Sequence, residues 1–239
     1  IFTTVPKRQA GVCLTCRRPM TSTYDHCYSC SVTRAQVSRP VDLVVPISLA
    51  LEHGQLHHIL RGYKDPAARR LTSAQAHLFQ LIVAATVARF LRGHEQHVLR
   101  ASGNQSPITA IVPIPSSRGR PGNPPLFAAL SRVPALVPRL RLALASNQGV
   151  QHLNASDNGF SVVDRAVRGC RVLVIDDTFT SGAAVQSAAS ALSIAGADVV
   201  AAVVVGRYVV LSQEHGPSND WWTRHRASHP FSFANCCLE

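Results

Sequence analysis

Residues Val172–Ala184, VLVIDDTFTSGAA, bring together the side chains best suited to chemistry in this chain. The branched apolar run Val172 to Ile175 ends in the carboxylate pair Asp176–Asp177. Thr178-Phe179-Thr180-Ser181-Gly182 then leads into an Ala-rich stretch with helical character. A continuous apolar run marks a parallel strand buried on both faces, and open α/β sheets carry their ligand sites at the carboxyl ends of such strands. The two acids are therefore expected at the rim of a crevice, facing a ligand's hydroxyls or a bound cation. The small hydroxyl and glycine residues behind them let the backbone fold close around an anion. A helix starting near Gly182 aims its free N–H groups and positive dipole end at that anion. Acids that hold a diol a few ångströms from a phosphate cradle suit a ribose 5-phosphate. The plain alternative is an ordinary strand-turn-helix with acids at the strand end.

Cysteines supply the second constellation. Cys13 and Cys16 form one C-x-x-C, and Cys27 and Cys30 form another after ten intervening residues. Two such knuckles fit tetrahedral thiolate ligation of a structural Zn²⁺, each pair giving two ligands. Gly11–Val32 has too little apolar content to fold unaided, so metal binding would supply its folding energy. Disulfides or a redox pair are the rivals, without a secretory context behind them. His26 reads as a bystander, Cys170 as a small buried residue, and Cys236 and Cys237 as part of a loose tail.

Length and charge bound the remaining possibilities. The 239 residues suffice for one α/β domain and a small appendage. The formal charge is +11, carried almost wholly by arginine, with Lys7 and Lys64 the only lysines. Arginine prefers planar, bidentate anions such as phosphate, but the arginines are spread along the chain, which a coding bias explains equally well. The longest apolar run, near Leu78–Leu91, is broken by Gln80, Thr86 and Arg89, so no bilayer span is expected. No signal peptide is visible, although the chain opens on Ile1. A cytoplasmic location is the default expectation.

Patterning places these groups on elements. Ser38-Arg39-Pro40 reads as a hinge, and Val41–Ile47 as a short strand interrupted by Pro46. Leu49–Leu60 and Ala67–Leu91 carry apolar residues at helical spacing. Asp65-Pro66 is placed to start the second helix and Gly93 to end it. Ile108–Pro115 is a strand whose prolines force it out of regular sheet. Leu126–Ser131 reads as a short helix, Val133–Ala145 as arginine-studded and containing a strand, and Asn147–Gly159 as a mobile polar segment. Ala183–Ala195, closed by Gly196, and the valine-rich Asp198–Val205 complete a βαβ unit. Trp221 and Trp222 read as a flap of unknown placement. The histidines His53, His57, His58, His94 and His97 read as solvated helix faces, and Arg69-Arg70 as a helix surface.

The strand, acid pair and hydroxyl-glycine turn together resemble the signature of the type I phosphoribosyltransferases, whose loop binds the ribose 5-phosphate part of phosphoribosyl pyrophosphate (PRPP). That family usually has a branched apolar residue where Thr178 stands and a Thr where Ala184 stands, so one loop hydroxyl is lost here. The resemblance implies PRPP contacts from Asp176, Asp177, Thr178, Phe179, Thr180, Ser181, Gly182, Ala183 and Ala184. Asp176 and Asp177 would hold the ribose hydroxyls, directly or through Mg²⁺, and Thr180 to Ala183 the 5-phosphate. In the amidophosphoribosyltransferase-like branch a P-x-P element, as in Pro113-Ile114-Pro115, precedes the pyrophosphate loop. Ser116 and Ser117 would then face the diphosphate, with Arg118 or Arg120 neutralising it.

With the paired knuckles and Tyr63–Leu71, YKDPAARRL, the pattern is similar to the ComF/GntX branch, associated with DNA uptake in competent bacteria. It implies an α/β fold, a mostly parallel sheet flanked by helices, carrying a zinc-ribbon-like knuckle. The knuckle would span 1–38, the phosphoribosyltransferase-like domain 39–210 and a tail 211–239. Departures from that branch are Arg120-Pro121-Gly122-Asn123 after P-x-P, and a flap with Gln151, Leu153, Asn158, Gly159 and Phe160 but no matching Arg. The activity implied is displacement of pyrophosphate from PRPP by a nitrogen nucleophile, with the flap excluding water. The rival is a non-catalytic scaffold that binds single-stranded DNA or DNA-uptake proteins, against which stands the lack of an aromatic-basic interleave. A homo-oligomer is left open.

Overall fold

The computed structural model describes residues 1–20, 24–103, 106–116, 123–147, 150–211 and 219–239. Among the described residues, six strands form two sheets: β1 (Val44–Leu51), β2 (Ala110–Pro113), β3 (Leu144–Ser146), β4 (Phe160–Val162), β5 (Arg171–Phe179) and β6 (Asp198–Val209). The main sheet is all parallel in the order β1-β6-β5-β2, while β3 and β4 pair as an antiparallel ribbon. The helices are α1 (Tyr28–Ala35), α2 (Gln55–Gly62), α3 (Ser73–Ala101), α4 (Pro125–Leu130), α5 (Ala183–Ile194) and α6 (Asn219–Ser228).

Parallel neighbours need crossovers, and the helices supply them. Helices α2 and α3 carry the chain from β1 at one edge to β2 at the other, and α5 joins β5 to β6. Alternate residues of the central strands serve two apolar layers, as the two-residue strand period requires. Leu173, Ile175, Val203 and Val205 pack with α2, α3 and α4. Val172, Val174, Ala202 and Val204 pack with α5 and the four knuckle cysteines. Full burial of each of the valine, leucine and isoleucine side chains contributes roughly 1.5–3 kcal/mol.

Several boundaries differ from the sequence reading, each for a local reason. Leu49–Leu51 belong to β1, not to a helix, because they extend the ladder on Arg207 to Val209 of β6. Pro46 stays in the strand because β1 is an edge, where a missing N–H costs no ladder bond. Helix α3 starts at Ser73 behind a reciprocal capping box of Thr72 and Gln75, so Asp65 and Pro66 head a turn instead. It runs through Gly93 to Ala101. Among the described residues it is the one helix long and apolar enough by composition to cross a bilayer, with mean hydropathy reaching 1.3. Its residues Val83, Val87, Phe90, Leu91 and Val98 are buried in the layer against the sheet.

The expected hinge and the mobile flap are both fastened. The Ser38 amide donates to Asp157 at 3.0 Å and the Arg39 amide to Ser190 at 3.2 Å. In the flap, the Ala155 amide donates to Gln36 at 2.7 Å and the Ser156 amide to Ser187 at 2.9 Å. Gly159 is required there, because a Cβ would stand 2.3 Å from Val150 and 3.0 Å from Ser187. The segment around Cys236 and Cys237 is not loose either: both thiols are buried, and Trp222 of α6 joins the same core.

Candidate functional site

Register builds the site. Strand β2 ends opposite Ile175, whereas β6 accompanies β5 as far as Phe179. From Asp176 onward the β2-side margin of β5 is therefore open, and the last bond across it runs from the Ile114 amide to the Ile175 carbonyl at 2.9 Å. The Asp177 amide points to that same open side, since alternate residues of a strand share a direction. It donates instead to Oδ1 of Asp176 at 2.8 Å. One acid thus satisfies the backbone that carries the other.

The opening is a cavity of about 780 Å³ at the carboxyl ends of the strands. It is lined by Asp176, Asp177, Thr178, Thr180 and Ala184 from β5 and the start of α5, by Pro115 and Ser116 after β2, and by Tyr63, Lys64 and Arg69. Both acids are buried, at 9% and 4% exposure, yet both face this space. Burial, reinforced by the negative charge of Asp177, pushes the Asp176 carboxyl up to about 7. Asp177 is held by two groups that the site-residue reading missed. The Tyr63 hydroxyl donates to its Oδ2, and the Lys64 ammonium stands 2.5 Å from Oδ1. The sequence signal was the Tyr63-Lys64 pair in YKDPAARRL, recognisable as a motif but not as a partner for the acids. His57 also lines the cavity. Partial burial and nearby Arg61 keep it below the usual histidine range. Arg69 and Arg70 sit on a turn rather than on a helix.

Expected loop residues divide into two groups. Thr178 and Phe179 continue β5, so the turn is shorter than expected, from Thr180 to Gly182. Phe179, Ser181, Gly182 and Ala183 are buried and do not line the cavity. Ser181 Oγ accepts the Leu153 amide at 3.2 Å, so its hydroxyl serves the flap. Gly182 has φ +93° and stands at the N-cap of α5; a Cβ there would meet the Phe179 ring at 2.6 Å. Among the described residues, the amides of Ser181, Gly182 and Ala184 donate to no protein acceptor, while the Thr180 amide faces β6 by the same alternation that turns the Asp177 amide to the open side. Free amides beside a helix N-terminus are groups that can meet an anion. Ser117, Arg118 and Arg120 lie outside the described residues.

Mg²⁺, expected at the acid pair, fits these donors poorly. Both oxygens of Asp177 are engaged by Tyr63 and Lys64, and Oδ1 of Asp176 accepts a backbone amide. An ammonium already occupies the place where direct ligation would put a divalent ion. Lys64 offsets the charge of Asp177, and no arrangement of donors in the described site supports Mg²⁺.

The cysteine cluster is assembled as its spacing predicted. The sulfurs of Cys13, Cys16, Cys27 and Cys30 are buried and lie within 4.8 Å of one another. Cys16 and Cys27 are 3.9 Å apart, close to the roughly 3.8 Å edge of a tetrahedral zinc-thiolate site. The Cys27 amide donates to the Cys13 sulfur at 3.3 Å, as metal-bound thiolates commonly accept. The cluster can hold a structural metal such as zinc. His26 bonds Thr15 at 3.0 Å and stays outside the four-sulfur set.

Arg207, 2% exposed, links this cluster to the crevice. Burial works against its charge, but the negative sulfur of Cys16, then Cys27 and Cys30, raises its pKa above the usual value. Its guanidinium lies 5.1 Å from the Phe179 ring and donates to the Phe179 carbonyl at 3.0 Å. On the same side Thr33 of α1 donates to the Ser181 carbonyl at 3.4 Å. Neither contact was legible in the sequence.

Compared with protein-family models and with curated proteins, the chain matches none.

Proposed function

We propose that the crevice binds a ribose 5-phosphate bearing a leaving group at C1, PRPP foremost, and transfers the phosphoribosyl group to a nitrogen nucleophile with release of pyrophosphate. The observation that carries this reading is the buried acid pair on the open margin of β5, set beside a turn with uncommitted amides. Asp176 and Asp177 accept the ribose 2- and 3-hydroxyls, since each carboxylate oxygen can take more than one donor. The 5-phosphate is met at the N-terminal end of α5 by Thr180 and Ala184, the two residues of this stretch that line the cavity. Ser116 and the arginines at the rim face the diphosphate, where guanidinium groups neutralise charge as the C1–O bond lengthens. The nucleophile enters through the same cavity, which His57 also lines. The four cysteines hold a structural Zn²⁺, which fixes α1 against α5 and so supports the turn.

Calorimetric titration of PRPP tests the site, with and without Mg²⁺, on the wild type and on Asp176→Asn and Asp177→Asn. Binding is expected in the wild type and at least tenfold weaker in either variant; equal, weak binding in all three overturns the reading. A pyrophosphate-release screen of PRPP against ammonia, glutamine and free bases tests transfer, and no release with any acceptor overturns that step.

A further inference from the structure

The histidines of α3 do not form a solvated face throughout. His94 is 3% exposed, and its Nδ1 lies 3.3 Å from Nδ1 of His97, three residues on along the same side of the helix. The segment after α6 returns to this point: the Cys236 sulfur stands 3.5 Å from His97 Nδ1. Glu239 Oε1 lies 2.9 Å from His97 Nδ1 and 3.9 Å from His94 Nδ1. All four donor atoms fall within 4.8 Å of one another.

We propose that His94, His97, Cys236 and Glu239 form a second metal site, tetrahedral and built for Zn²⁺, which fastens the 229–239 segment onto α3. Three features support it, independently of the phosphoribosyl reading. Nε2 of His94 meets the Phe233 carbonyl at 2.9 Å, and a carbonyl can only accept, so Nε2 carries the proton. The Nδ1 lone pair of the neutral ring is then directed at the centre of the cluster, the outer contact that orients metal-bound histidines. The distances also match. Zn–N near 2.0 Å and Zn–S near 2.3 Å place tetrahedral N···N about 3.3 Å and N···S about 3.6 Å apart. The observed 3.3 Å and 3.5 Å agree, and the two Glu239 distances bracket the corresponding N···O edge. Finally, two imidazoles, a thiolate and a carboxylate are a donor set suited to zinc rather than to a hard cation.

The test counts metal on the full-length protein. Metal-depleted wild type, His97→Ala, Cys236→Ser and Cys236→His are reloaded with Zn²⁺, gel-filtered and analysed. The expected result is one zinc per chain fewer in His97→Ala and Cys236→Ser than in the wild type, with Cys236→His retaining the wild-type number. The difference, not the total, is read, so ions on Cys13, Cys16, Cys27 and Cys30 cancel. Loading with Co²⁺ gives a second readout: Cys236→Ser loses part of the thiolate-to-cobalt charge-transfer absorption while the remainder persists. Equal zinc content in all four proteins, or a cobalt spectrum unchanged by Cys236→Ser, overturns the proposal.

Discussion

Asp176→Asn isolates what the fold invests in its acid pair. Asp176 is held up to about 7 by burial first and by the charge of Asp177 second, against 3.8 in the unfolded chain. About three tenfold steps separate the two values, at about 1.4 kcal/mol each, or about 4 kcal/mol in all. The raised value means that the folded protein prefers the protonated acid. That preference is fully available below about pH 4, is lost progressively as pH rises through 7, and is absent above about pH 8. The amide side chain cannot titrate, yet its carbonyl oxygen can still accept the Asp177 amide. Urea unfolding of ligand-free protein, followed by circular dichroism, should therefore show the variant gaining on the wild type between pH 4.5 and pH 8.5, by up to about 3 kcal/mol. A variant-minus-wild-type difference that stays constant within about 0.5 kcal/mol across that range refutes the reasoning. Stability given up at a site and recovered when a ligand meets the acids is the mark of a functional arrangement.

Tyr63→Phe removes the hydroxyl that donates to Asp177 and leaves a buried carboxylate short of a partner. A loss of about 1.5–3 kcal/mol is expected in urea unfolding, and an unchanged midpoint removes that hydroxyl from the account. Gly182→Ala forces a side chain into φ +93° and against the Phe179 ring. We expect about 1–3 kcal/mol of lost stability and weaker PRPP binding, and calorimetry showing both unaltered would contradict the packing described. Loading Zn²⁺ on the four N-terminal cysteines and then chelating it should raise amide-hydrogen exchange in α1 and in the Thr180–Gly182 turn together. Exchange confined to the knuckle would mean that the Thr33 and Arg207 contacts transmit nothing.

The sequence made the βαβ unit, the acid pair and the four-cysteine set legible because each is a local pattern: an apolar run, a doublet, a repeated spacing. The outline of the site followed from those patterns. What escaped were events between elements. Nothing in the spacing of Tyr63 and Lys64 says that α2 delivers them to β5, because that contact joins residues 114 apart along the chain. The helical reading of Leu49 failed because a strand buried on both faces and a buried helix share one apolar signature. The flap looked free because its residues are polar, yet they serve as hydrogen-bond partners for α1 and α5. Cys236 was assigned to a tail because burial of a chain end depends on tertiary packing alone.

The guanidinium of Arg207 has one consequence for anyone who wishes to shorten this chain. Trimming away residues 1–38 would remove the four-cysteine cluster, whose Cys16 sulfur interacts with a cation sealed inside. The truncated protein would bear an isolated interior charge beside Phe179, just ahead of the Thr180–Gly182 turn, together with a bared apolar flank on α5. Such a fragment should be recovered as aggregate, and its inactivity would say nothing about the crevice.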